Sequence, residues 1–416
     1  MRILVISLLR LGDLILQRPL LVALRKRFPE GEIHLLLNKQ FAQGEFLFAG
    51  LADRFIYFDR ETLQKSCGEK EYNIFWGVHS LKETVAELNQ AKYDLVYNFT
   101  HNRLSAHLAG LIHARHRLGI YSDRGVFFGL TNPWIQFFNN FFGRPEAEGF
   151  HYTEILARAM GLSLPSPSGP RRVPAGKRTL VLQPLTSDAK KNWGVQNHLA
   201  LLTALEDQGG YEVKVLGAPF EEAALRRVFP SENLFICDLE NAAALLQEAS
   251  LLISGDTSIK HLAAHYDVPV LELSLGSSQP LQVGAYSNNA VILQPRVPCG
   301  PCPHSSPCSQ GRHTCGERLS VPSVFEAVRL LLSSRASAWA DFCLRNQDLN
   351  VLKTEIHAHV GWTVQCLSLA QRDYFEKVMQ KKTMIVEELN RRDHSGKGVS
   401  YEQRTGKLPL AGAEAP

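Results

Sequence analysis

The chain has 416 residues, about three times a typical domain, so two or three domains are expected. Apolar residues make up 45% and charged residues 21%, which excludes a disordered chain, a collagen-like fibre and a coiled-coil rod. Lys and Arg number 45 against 41 Asp and Glu, a net +4 that demands no nucleic-acid partner but leaves room for a local phosphate-facing site.

At the N-terminus, RILVIS (2–7) predicts a buried strand. The run that follows is broken by Arg10 and Asp13 and has no small-x-small site, so it is read as the start of a cytoplasmic protein rather than a secretory leader. Helical spacing of apolar residues then covers 13–28. Strands are predicted at 32–37, 54–58 and 94–98, with helices at 81–90 and 104–112 among the connections. Strand runs that are apolar on both faces and separated by helices argue for a parallel sheet covered on both sides. Residues 126–142 hold seven aromatics. Phe137, Phe138, Phe141 and Phe142 share a helical face, read either as core or as a face for the membrane interface.

Residues 163–177 contain four Pro, two Gly and three Ser and read as a linker. The alternation then restarts. Strands are predicted at 179–183, 212–216, 234–237, 251–254 and 270–273, and helices at 194–208, 221–228 and 260–266. The fold class is α/β, with an N-terminal domain over 1–165 and a C-terminal domain over 178–335. A helical extension without a clear strand is expected over 336–392, and a disordered tail over 393–416. No run of about 18 apolar residues predicts a membrane span.

Four sequence patterns carry chemistry. Arg10-Leu11-Gly12-Asp13 follows the first strand, and its carboxylate reads either as a helix cap or as a base at the strand's carboxyl end. Thr186-Ser187-Asp188-Ala189-Lys190-Lys191 follows the strand at 179–183, and its hydroxyls and ammonium groups suit a diphosphate. Glu221, after Gly217-Ala218-Pro219-Phe220, is placed where a carboxylate takes ribose hydroxyls, or where a first-turn acid merely suits the helix dipole. Gly255-Asp256-Thr257-Ser258 runs from a strand into a helix start, which attracts phosphate through unpaired N–H groups; His261 lies in the first turns. GxGxxG is absent, which disfavours a dehydrogenase-type nucleotide fold.

In this order and at these spacings the patterns resemble glycosyltransferase family 9, the heptosyltransferases of lipopolysaccharide core assembly. The resemblance spans about 1–332. It rests on MRILVISLLRLGDLILQRPLLVAL, YDLVYNFTHNRLSAHLAGL, the loop ending Lys191-Asn192-Trp193, GAPFEE and GDTSIKHLAA. It implies a GT-B fold, two Rossmann-like doubly wound domains facing a cleft. It also implies inverting, metal-independent transfer of a sugar from a nucleotide-sugar donor, with ADP-heptose favoured, to a glycolipid at the inner-membrane surface. Asp13 then matches the catalytic base. Thr186, Ser187 and Lys191 match diphosphate ligands, Glu221 the ribose ligand, and Asp256-Thr257 the sugar and diphosphate site. Ser258 stands where the family commonly has Gly, which limits backbone approach to a ligand. Arg10 and Arg103 are the expected acceptor ligands, Arg103 chosen from the Arg-rich stretch 101–124. Other readings are the same fold with another donor or a protein acceptor, or a non-catalytic nucleotide-sugar-binding protein.

Four of eight cysteines cluster as Cys299, Cys302, Cys308 and Cys315. The x2 spacing of the first pair suits a structural zinc, and free thiols in a reducing compartment are the alternative. No cofactor is expected to be required for catalysis.

Overall fold

The computed structural model describes residues 1–68, 74–165, 178–304, 306–333, 337–357 and 360–395. Most of the expected linker and the whole of the tail beyond 395 lie outside the described residues. The described chain divides into two compact units.

The first unit holds Met1–Phe142 and Thr153–Pro165 and takes in the chain again from Glu387. Its strands are β1 (Arg2–Ser7), β2 (Glu32–Asn38), β3 (Arg54–Phe58), β4 (Tyr93–Asn98) and β5 (Ala114–Leu118). They form a five-stranded parallel sheet in the order β3-β2-β1-β4-β5. Ile3 pairs with Ile33 on one side and Leu95 on the other, so β1 is central and Ile3, Leu4, Val5 and Ile6 are wholly buried. Helices α1 (Leu11–Arg27), α2 (Arg60–Gly68), α3 (Ile74–Gln90) and α4 (Arg103–Leu111) connect them. A small hairpin, β6 (Tyr121–Asp123) with β7 (Val126–Phe128), leads to α5 (Pro133–Phe141). Helix α6 (Tyr152–Ala159) follows.

The second unit holds residues 143–152 and the chain from the linker to Val386. Its strands are β8 (Arg178–Gln183), β9 (Tyr211–Gly217), β10 (Leu234–Ile236), β11 (Leu251–Ser254), β12 (Val270–Leu273) and β13 (Ala290–Pro295). They run parallel in the order β10-β9-β8-β11-β12-β13. Their connections carry α7 (Val195–Gln208), α8 (Glu222–Leu225), α9 (Leu239–Glu248), α10 (Ser258–His265) and α11 (Pro280–Val283). After β13 come α12 (Thr314–Arg318), α13 (Val321–Ser333) and α14 (Ala338–Arg345). Both strand orders reverse direction once, between β1 and β4 and between β8 and β11. Such switch points open a crevice at the strands' carboxyl ends.

The expectation of a strand-free helical extension is corrected. Strands β14 (Leu349–His357) and β15 (Gly361–Cys366) pair antiparallel and extend the second sheet beyond β13, before α15 (Arg372–Ser395). Leu352 pairs with Ile292 and with Cys366. The separate extension of 336–392 is therefore largely part of the second unit. The pattern is hard to read because Lys353 and His357 are exposed and alternate with buried residues such as Leu352 and Thr354. An antiparallel edge of this kind lacks the continuous apolar run of a central parallel strand. Trp362 anchors the hairpin: it is wholly buried and its indole N–H donates to the Ala285 carbonyl at 2.9 Å.

The aromatic face expected on α5 is also only partly open. Phe137 is buried with Trp134 and Ile135, while Phe138 stacks on Phe142 with ring centroids 4.7 Å apart.

Candidate functional site

In the second unit, β8 and β11 are neighbours in the sheet, with Gln183 paired to Ser254. Leu251, Leu252 and Ile253 are wholly buried, and such side chains each contribute roughly 1.5–3 kcal/mol, so the ends of these strands are firmly placed. The loop after β8 and the loop after β11 therefore emerge side by side at the switch point. Gly255 fits tightly there: a Cβ on it would lie 3.2 Å from the Lys191 carbonyl oxygen and from Cγ2 of Thr186.

This juxtaposition brings Lys191 and Asp256 together. Lys191 Nζ donates to Asp256 Oδ2 at 2.8 Å, and both side chains are about nine-tenths buried. Lys260 Nζ donates to the other oxygen, Oδ1, at 2.7 Å. Burial alone would disfavour the carboxylate, but the charges of Lys260 and Lys191 hold Asp256 far below the usual carboxylate range. Lys260 is itself wholly buried and donates to Glu272 Oε1 at 3.0 Å. Lys260 is held above its ordinary value because Asp256 and Glu272 outweigh the cost of burial. Burial pushes Glu272 up despite Lys260.

Helix α10 begins here. Thr257, not Asp256, is its N-cap, with Oγ1 accepting from the Lys260 amide at 3.4 Å. Ser258 is the first helical residue and has no left-handed φ, so the Ser in place of the family's Gly is accommodated without backbone strain. His261 is buried, and its Nδ1 has no hydrogen-bond partner among the described residues. Burial, aided by the Lys260 charge, holds it neutral, well below the ordinary imidazole value.

The loop after β8 is internally tied. Thr186 Oγ1 donates to the Asp188 carbonyl at 2.7 Å, and the Thr186 amide donates to Asn192 Oδ1 at 2.8 Å. Asp188 accepts from Ser277 Oγ at 2.9 Å. Ser187 is exposed. Lys190 points elsewhere, donating to the carbonyls of Pro303 and His304 at 2.9 and 3.1 Å. Its own carbonyl accepts from His313 Nε2 at 2.8 Å, and Gly276, at φ +59°, leaves it room: a Cβ there would come within 2.2 Å. Of the two adjacent lysines only Lys191 faces Asp256.

Glu221 ends a short 3₁₀ turn after β9. Its Oε2 accepts from the Ala218 amide at 2.8 Å, and burial raises its pKa. The helix predicted over 221–228 is shorter, only Glu222–Leu225.

In the first unit, Asp13 sits in the first turn of α1, after β1. The cap is Arg10, so Asp13 is not the N-cap that one sequence reading allowed. Gly12 lies within the helix and carries no left-handed φ. Arg10 is exposed, as is Arg103, which opens α4 directly after β4 and behind the Asn102 cap. Asp13 and Arg103 thus flank the β1/β4 switch point. Beneath them Leu8 N–H donates to Thr100 Oγ1 at 2.7 Å and Gln17 Nε2 to the Phe99 carbonyl at 3.0 Å. The other arginines of 101–124 serve the fold: Arg117 donates to the Ala109 carbonyl at 3.0 Å and Arg115 pairs with Asp94 at 3.5 Å.

Among the described residues no group of three or more His, Cys, Asp or Glu side chains is arranged to hold a metal ion. The four clustered thiols are free. Cys302 Sγ lies 3.7 Å from the Cys299 carbonyl and Cys308 Sγ 3.4 Å from that of Arg312, both as donors to backbone. Cys315 pairs with His313, which lowers the thiol's pKa against the effect of burial.

Sequence reasoning missed Lys260 and Glu272. The available signals were a Lys four residues after Asp256 and a carboxylate inside the buried run Val270–Leu273. A charge in a buried strand calls for a buried partner.

Two doubly wound α/β units, each with charged residues at its switch point, are the architecture of the GT-B fold. The model of glycosyltransferase family 9 (heptosyltransferase) matches residues 81–311, and the chain belongs to that family. Lipopolysaccharide heptosyltransferase 1 of Escherichia coli K12 is 28% identical over 155 residues, 34% of this chain and 48% of that protein. The chain thus spans about half the length of that relative. Lipopolysaccharide heptosyltransferase 3 of Escherichia coli is 23% identical over 67% of this chain and 85% of its own length. Escherichia coli heptosyltransferase WaaC, solved with ADP, superposes with a TM-score of 0.56 at 21% identity, over 80% of this chain and all of that one. Heptosyltransferase II of the same organism gives 0.57 at 18% identity over 80% and 99%. Among the described residues no helix is long and apolar enough to cross a membrane.

Proposed function

We propose that this chain is an inverting heptosyltransferase that moves a sugar from ADP-heptose to a lipopolysaccharide-type glycolipid. The observation that carries the reading is the Lys191–Asp256 pair at the β8/β11 switch point, beside the start of α10. In the reaction an acceptor hydroxyl attacks the anomeric carbon from the face opposite the diphosphate. The bond from that carbon to the phosphate oxygen breaks, and its electron pair leaves with ADP. Asp13 takes the proton from the hydroxyl as the new bond forms. Lys191 and the α10 amides receive the charge that develops on the leaving diphosphate, the task a metal performs in other transferases. Thr186, Ser187, Thr257 and Ser258 supply further donors, Glu221 takes the ribose, and Arg10 and Arg103 take anionic groups of the acceptor.

The relatives named above act on lipopolysaccharide, and WaaC was solved with ADP, which supports the choice of donor and acceptor. Work on the cytoplasmic side of the inner membrane, with the protein bound peripherally, follows from such an acceptor. A thermal-shift screen against ADP-, UDP-, GDP- and CDP-sugars, followed by transfer assays with ADP-heptose, tests the proposal. A selective ADP response with an inverted product is expected. A selective UDP response, or transfer with retention, overturns it.

A further inference from the structure

We propose that Lys260, anchored by Glu272, is a positioning residue of the donor site. It keeps Asp256 charged and fixed, so that Lys191 is released to the donor diphosphate. The inference rests on the nucleotide-sugar reading above and adds two residues that touch no ligand.

Lys260 has no hydrogen to spare. Its ammonium donates to Asp256 Oδ1 at 2.7 Å, Glu272 Oε1 at 3.0 Å and the Val283 carbonyl at 3.0 Å. An ammonium has three donors, and all three are used. The side chain is wholly buried, so it cannot reach a phosphate and acts only through its partners. The frame around it is rigid. Glu272 lies on β12 directly opposite Ser254 of β11, two residues before Asp256. Lys260 stands one helical turn after Asp256, on the same helix start.

Asp256 therefore has two cations of different character. Lys260 is locked from below. Lys191 arrives from another loop, and its ammonium makes a single hydrogen bond among the described residues, to Oδ2. A diphosphate needs a cation that can move, and Lys191 is the one able to leave. Without Lys260 its departure would strand a buried carboxylate beside an incoming anion, which is strongly unfavourable. With Lys260 in place the carboxylate keeps a partner throughout.

A buried ion network of this kind is weak support for stability, since desolvation offsets attraction. A role in the site and a role in the fold alone give different results in a double-mutant cycle. ADP binding to the full chain is measured by calorimetry for the wild type, Lys260→Met, Asp256→Asn and the double variant, with melting temperatures alongside. Lys260→Met is expected to weaken ADP about tenfold, a typical coupling between groups in direct contact. The double variant is expected to bind no more weakly than Asp256→Asn. Unchanged affinity in Lys260→Met, or losses that simply add, overturn the inference. If Lys260→Met does not fold, Glu272→Gln keeps the ammonium but loosens its anchor; a wild-type affinity for ADP in that variant is equally fatal. A wild-type chain that binds ADP while these variants behave as wild type sinks this inference alone. A wild type that binds no nucleoside diphosphate sinks the functional reading with it.

Discussion

The Lys191 ammonium and the Asp256 carboxylate lie 2.8 Å apart, although they belong to loops after two different strands. The pair exists because β8 and β11 are adjacent and end together. Lys191→Met should therefore remove the mobile cation while Lys260 still balances Asp256. The expected result is a fall of about a hundredfold in kcat/KM with ADP-heptose and a melting temperature within a few degrees of wild type. Steady-state kinetics and calorimetry check it. An unaltered kcat/KM removes Lys191 from the donor site.

Asp13→Asn separates chemistry from donor binding. Asp13 lies in the first unit, and none of the proposed donor ligands do. Transfer should fall by about 10²–10⁴-fold, the usual contribution of a general base, while ADP affinity stays at the wild-type value. Equal losses in both would mean that the residue matters for folding rather than for proton transfer.

Acid stability follows from the buried histidines, His151 and His198 among them. Burial lowers His151 to about 3 and His198 to about 4, from an ordinary 6.5. In both cases the unfolded chain takes up the proton first. Stability is therefore full above about pH 6.5 and declines as the pH falls toward 4, by about 1.4 kcal/mol per pH unit for each group. The depressed Asp256 acts in a lower window: its contribution is present above about pH 4 and is lost below that, as the pH approaches its folded-state value. Chemical unfolding between pH 7 and 4 should show the decline, and His198→Leu should flatten its slope. An unchanged slope would refute the assignment.

Exhaustive treatment with EDTA decides between a structural zinc and free thiols at Cys299, Cys302, Cys308 and Cys315: free thiols leave the melting temperature unchanged. A released metal together with a lower melting temperature would instead assign the loop 299–315 as a metal site.

Trp362→Ala tests the hairpin. The indole packs against His151, with ring centroids 5.1 Å apart, and donates to Ala285. Loss of so large a buried ring costs about 3–5 kcal/mol. Urea unfolding should show that loss, and a cost below about 1 kcal/mol would mean that β15 contributes little to the second sheet.

Much of the architecture could be read from the chain because the central strands are buried on both faces. Residues 2–7, 32–37, 179–183, 251–254 and 270–273 stand out as short apolar runs and match β1, β2, β8, β11 and β12 closely. The edge strands β3 and β10 also stand out, at 54–58 and 234–237, but β5 and β14 do not. Ala114–Leu118 reads ARHRL, with His116 and Arg117 facing no continuous apolar layer, and Leu349–His357 carries a charge at alternate positions near its end. The site was legible in part. The motif order led to Asp13, Lys191 and Asp256, but Lys260 passed as one more helical residue, since its partner Glu272 lies on another strand and only pairing of β11 with β12 brings them together. The pairing of Lys191 with one oxygen of Asp256 and Lys260 with the other depends on side-chain reach, which motif spacing does not encode.

The hairpin beyond β13 has a bearing on how the polypeptide matures as it leaves the ribosome. His151 emerges early, yet its imidazole is sandwiched near Tyr286 and Trp362, which are translated much later. The segment 143–152 must therefore wait, unpaired, while nearly the whole remaining chain is made. Nascent chains halted before Cys366 should leave that segment open to protease, and those halted well after it should not.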